Sequence, residues 1–198
     1  MKKLLTLKHW QLFGILIGIP ILFEFLIIGS FFFGEGLRNI FFIFPLMMIV
    51  SIGLFFGWFY TLGTNLYKKL PPTATMNLKR FKIFLFIPVI YMAILPISMF
   101  GIFSTMPSGS TPDSALFALI IPIHFFCMFC MFYCLYFNAK ALKTVECQRP
   151  LTFSDFAGEF FLIWFFPVGI WILQPRINKL FDTNADHFDD SVFANRNV

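Results

Sequence analysis

Four stretches of this chain stay apolar for 20 residues or more, which leaves it few possible folds. They cover about residues 10–33, 40–62, 83–103 and 115–137. A helix needs roughly 20 residues to cross about 30 Å of hydrocarbon. Lipid offers the backbone no hydrogen-bond partner, so a chain that crosses it folds as helices or as a closed barrel. Continuous runs of this length, without two-residue alternation, mean helices. The fold class is therefore all-α: a polytopic helical membrane protein with four transmembrane helices and a fifth hydrophobic segment. Composition agrees, since 13% of residues are charged and 59% hydrophobic, against about 25% charged in soluble domains. Residues 1–181 read as one membrane domain and 182–198 as a polar tail.

Basic residues set the expected orientation. Lys2, Lys3 and Lys8 precede the first run. Lys68, Lys69, Lys79, Arg80 and Lys82 lie between the second and third, and Lys140, Lys143 and Arg149 follow the fourth. The two intervening connections hold only Arg38. This places the N-terminus in the cytoplasm and the protein in the cytoplasmic (inner) membrane. The first run is too long for a cleaved signal peptide and reads as a signal anchor. A net charge of +5 does not imply nucleic acid, because the basic residues flank membrane segments instead of forming a face with stacking aromatics. The expected partners are the lipid bilayer and a protein, either another subunit or a second copy of the chain.

Gly34, Glu35 and Gly36 predict a turn after the first run. Thr111 and Pro112 predict a helix N-terminus before the fourth. Good helix formers from Asn138 onward prolong that fourth helix toward Pro150. The fifth segment, 156–173, then allows three readings. Thr152 and Asp155 have capping-box spacing, and the apolar stretch from Phe160 to Leu173 is about 21 Å long as helix. As a fifth span it leaves Arg176 and Lys179 on the side opposite the other basic residues. As a re-entrant element broken near Pro167 it keeps them together, and shallow burial does the same. Glu159, Trp164, Pro167, Gly169 and Arg176 mark this segment as the re-entrant or partner-binding element.

Polar residues inside the runs are the other candidates for function. Glu24 and His124 each lie about 14 residues from the basic ends of their runs, hence about 21 Å deep. Glu24 is expected to face the bundle, since a charge among lipid tails is costly. With the first and fourth helices packed together, the two could relay a proton, bind a cation or fix helix register. His124, Cys127, Cys130, Met131 and Cys134 share one helical face and offer soft ligands suited to Cu(I) or Zn. The same residue types also pack cores, and one helix rarely completes a metal sphere. No cofactor is strongly implied, and a bis-His haem lacks a second intramembrane histidine.

Gly14 with Gly18, and Gly53 with Gly57 and Thr61, have the small-residue spacing that brings helix backbones together. They are expected to pack the first hairpin or a homodimer. Pro20, Pro45, Pro88, Pro96, Pro122 and Pro167 put a proline in every segment, as in the broken helices of transporters and in ordinary membrane helices. Asp182, Asn184, Asp186 and Asp190 match four calcium-loop positions, but His187 and Phe193 stand where glycine and glutamate belong. Zinc-protease, nucleophile-elbow and phosphate-loop motifs are absent, as is any internal repeat. Three functions fit: a non-enzymatic accessory or assembly subunit, a small transporter or channel subunit using Glu24 and His124, or a metal-binding redox protein.

Overall fold

The computed structural model of the protein describes residues 3–32, 36–105 and 114–181. Gly34 and Glu35 of the expected turn, the helix start at Thr111 and Pro112 and the calcium-like tail lie outside the described residues, and Gly36 begins the next helix. All regular elements described are helical. A short helix α1 (Lys3–Thr6) leads into a first long helix built from α2 (His9–Phe13), a π-helical turn (Gly14–Gly18) and α3 (Ile19–Phe32). Then come α4 (Gly36–Tyr67), α5 (Leu78–Thr105), α6 (Ser114–Cys147), α7 (Phe153–Trp164) and α8 (Phe166–Phe181). Among the described residues, four helical stretches are long and apolar enough to cross a membrane: His9–Phe32, Ile43–Tyr67, Leu78–Met99 and Ala118–Cys147.

Local chemistry explains the irregularities. In a regular helix the Pro20 ring would press on the Leu16 carbonyl. The turn before it is widened, and the Ile19 N–H reaches back to the Gly14 carbonyl. Pro45, Pro88, Pro96 and Pro122 lie inside continuous helices, so a proline in each run does not break each run. Asn77 caps α5 by accepting from the Arg80 N–H at 2.9 Å.

The first long helix packs chiefly on α4, which also meets α5 and α6, and α5 packs on α6. The core gathers at the end of the bundle that carries the basic connections. There Phe81 stacks on Phe137 with centroids 4.3 Å apart, and Trp58, Phe59, Leu62, Leu66, Ala139 and Leu142 are buried. On α3 only Ile27 is buried, and most of its circumference stays bare.

The fifth hydrophobic segment is two helices. α7 and α8, about 18 and 24 Å long by helical rise, pack against each other as an antiparallel hairpin. Neither reaches the roughly 20 residues of a span. Each is amphipathic: Phe156, Glu159 and Ile163 turn inward on α7, and Gly169, Ile170, Leu173, Gln174 and Ile177 on α8. The outward face carries Phe161, Trp164, Phe165, Val168, Trp171 and Ile172.

Candidate functional site: the α7–α8 hairpin and the groove at its tip

The hairpin starts at Thr152. Asp155 accepts hydrogen bonds from the Thr152 backbone N–H and hydroxyl, both at 2.8 Å. These bonds, with Arg149 at 3.3 Å, hold the Asp155 carboxyl below its usual range. The chain turns at Phe165 (φ −82°, ψ 55°). The exposed backbone at this turn is largely satisfied. Phe165 N–H donates to Phe161, Val168 and Gly169 N–H both donate to the Phe165 carbonyl, and Pro167 has no N–H to satisfy. Gly169 then lies so close to α7 that a Cβ would stand 1.7 Å from the Leu162 carbonyl oxygen. No other residue type fits there.

Four charged side chains close the root of the hairpin. Arg176 donates through Nε and Nη2 to the two oxygens of Glu146, the Nε bond measuring 2.8 Å, and through Nη2 to Glu159 at 2.7 Å. Lys143 donates to the same Glu159 oxygen at 3.0 Å. Burial works to raise the Glu159 pKa, but the bonds from Arg176 and Lys143 outweigh it and hold the carboxyl below its ordinary range. Hydrogen bonding to Glu146 is the largest influence on Arg176 and raises its pKa further. Two acids and two bases leave the cluster neutral overall.

The end of α8 also holds the N-terminal helix. The Gln174 amide lies 3.2, 3.3 and 3.0 Å from the carbonyls of Leu4, Leu5 and Leu7, and Asn178 donates to Leu7 at 3.0 Å. These carbonyls are the unsatisfied acceptors at a helix C-terminus. Lys69 donates to the Leu180 carbonyl from the 68–77 connection. Both ends of the hairpin thus sit at the basic end of the bundle.

The hairpin tip reaches the level of His124. There Tyr91, Met92, His124, Cys127, Met131 and Trp164 help line a groove of about 190 Å³ between α5, α6 and α7. Tyr91 Oη lies 3.4 Å from His124 Nδ1, a long hydrogen bond. His124 itself is exposed on the outer surface.

Several expectations from sequence meet a different geometry. Glu24 is exposed on α3 and points away from the bundle, because α3 packs through one narrow face. Glu24 and His124 are not brought together, since the helix of Glu24 packs on α4 while His124 faces Tyr91 of α5. The His124–Cys134 stripe divides: His124, Cys127 and Met131 line the groove, whereas Cys130 and Cys134 turn into the core. Among the described residues, no three His, Cys, Asp or Glu side chains converge as a metal site.

Gly14, Gly18, Gly53 and Gly57 do not mediate close helix packing within the chain. A Cβ at each would meet nothing within 4 Å. Thr61 is buried, but it bonds to its own helix at the Gly57 carbonyl. Gly53→Ala and Gly57→Ala are therefore expected to leave thermal stability in detergent unchanged or raise it by up to about 1 kcal/mol through helix propensity. The tight contacts instead fall at Gly169 and at Gly63. A Cβ on Gly63 would lie 2.5 Å from Phe81 and 2.7 Å from Asn138 Oδ1.

The sequence marks none of Gly63, Asn138, Gln174, Asn178, Lys143 and Glu146 as part of a site, although Lys143 enters as a basic flank and Asn138 as the start of a helix-forming stretch. Of these, only Gln174 and Asn178 left a signal, as amides at i and i+4 beside an apolar run. No family model, curated protein or solved structure matches this chain.

Proposed function

We propose that the chain is a non-enzymatic subunit of a membrane protein complex, with its basic end in the cytoplasm and its α7–α8 hairpin re-entering the bilayer from that side. One observation carries the partner reading: Glu24 lies on the bare face of α3, with no hydrogen bond or ion pair to any described residue. Around it Leu22 and Phe25 are 59% and 67% exposed. An ionisable side chain at the bilayer centre costs about 2.5–3.5 kcal/mol on insertion scales. A donor or basic group on a helix from another chain would offset that cost. Re-entry is supported by the root cluster, since Arg176 and Lys179 then join the other basic residues on one side, as the positive-inside trend requires.

Placing a photo-crosslinking amino acid at Phe25 in living cells tests this. Discrete protein adducts are expected, and Glu24→Gln should reduce their yield. Adducts to lipid alone, with a normal yield of folded protein, would refute the reading.

A further inference from the structure

We infer that the groove between Tyr91, His124 and Trp164 binds the ring of a lipid-soluble carbonyl compound of the quinone class, which enters from the bilayer. The volume of the groove sets the size. About 190 Å³ suits one substituted six-membered ring, given that a cavity of about 150 Å³ accepts benzene. The lining favours a flat polarizable ring over a saturated chain. Phe55, Phe132 and Trp164 supply aromatic faces, and Met92, Met128 and Met131 supply thioethers, which conform to and attract aromatic surfaces.

The polar pair selects the carbonyl. Tyr91 Oη and His124 Nδ1 are hydrogen-bond partners at 3.4 Å, and either tautomer leaves one donor over: Nε2–H when the Tyr91 hydroxyl donates to Nδ1, the Tyr91 O–H when Nδ1–H donates. That donor has no acceptor among the described residues, in a wall that is otherwise almost wholly apolar. A ring oxygen that only accepts would satisfy it, whereas a hydrocarbon would leave it unpaired. Access is from the lipid side, because His124 and Met128 are exposed on the surface of α6 and Trp164 is half exposed at the hairpin tip. This binding does not depend on the partner proposed for Glu24, which lies on the opposite flank of α4 from α5 and α6.

Duroquinone and durene are matched probes, the same tetramethylated ring with and without carbonyls. Purified protein in phosphatidylcholine nanodiscs is titrated with duroquinone while tryptophan emission is recorded. Saturable quenching is expected, and Trp164→Phe should remove it, leaving the emission of buried Trp58 and the linear collisional quenching of Trp10 and Trp171. Tyr91→Phe and His124→Leu should each weaken the saturable phase at least tenfold without changing the melting temperature. Durene should not displace duroquinone at comparable concentration. Non-saturable quenching, equal competition by durene, or unaltered affinity in both polar variants would each overturn the inference. Should those variants fail to fold, the wild type still decides the matter: saturable quenching by duroquinone that durene does not relieve supports the inference, and non-saturable quenching or equal competition overturns it.

Discussion

Gly169→Ala is expected to separate the two helices of the hairpin and lower stability by about 3 kcal/mol, the upper end of ordinary overpacking penalties. The obstacle is backbone. The new methyl would stand 1.7 Å from the Leu162 carbonyl oxygen, and no rotamer change can move a main-chain atom. α8 would have to withdraw from α7 by more than an ångström, taking with it the bonds at its far end. Thermal unfolding in mild detergent should show a fall of roughly 10 °C. Gly158→Ala is the matched control, since it lies on α7 with nothing within 4 Å of its would-be Cβ. If the two variants melted alike, the close crossing of α7 and α8 would be wrong.

Arg176→Met is expected to cost nearly as much, roughly 2–3 kcal/mol, because removing one member of a partly buried charge cluster leaves the buried Glu159 short of a partner. Glu146 loses a two-pronged partner, and Glu159, whose side chain is 7% exposed, keeps only Lys143. Arg176→Lys should not rescue the variant, since an ammonium cannot engage both Glu146 oxygens and Glu159 together. The effect depends on pH in a defined direction. Bonds to Arg176 and Lys143 depress the Glu159 pKa below its ordinary value of 4.5. Its contribution is therefore fully present above pH 4.5 and is lost as pH falls through the lowered value. Wild type should lose stability in that acid window, and Arg176→Met should lose less there, having already lost the bond. Asp155, also depressed, titrates in the same direction, so both measurements belong in an Asp155→Asn background. An acid transition of equal size in wild type and variant would exclude Arg176 as the cause.

The helical class and the four long apolar helices were legible because run length and hydropathy belong to contiguous residues. The capping pair Thr152 and Asp155 was legible for the same reason, being a contact three residues long. The candidate site was legible only in part. His124 stands out in the sequence as a polar residue in an apolar run, and Glu159, Trp164, Pro167, Gly169 and Arg176 as markers of the fifth segment; His124 and Trp164 line the groove and the others lie in the hairpin. Glu24 was singled out on the same grounds, yet its direction depends on how little of α3 the other helices cover. The glycine spacings do not pack the first hairpin, because close approach requires a partner backbone opposite, and among the described residues of one chain none stands within 4 Å of a Cβ at Gly14, Gly18, Gly53 or Gly57.

Whether the fifth segment crosses or folds back depended on contacts that no local pattern encodes. In sequence, 14 nearly uninterrupted apolar residues from Phe160 to Leu173 read as a short span, a re-entrant element or a shallowly buried segment. The hairpin is held by Gly169 against the Leu162 carbonyl, by Arg176 reaching Glu146 and Glu159 across 30 and 17 residues, and by Gln174 at carbonyls some 170 residues away. Apolarity and length are additive properties of a string of side chains, so they survive in the sequence. The pairing of a buried carboxylate with a distant guanidinium exists only once the helices that carry them are packed. Tertiary structure therefore decided that the chain turns at Phe165, with Pro167 in the first turn of α8, and that both roots of the hairpin meet at the basic end of α6.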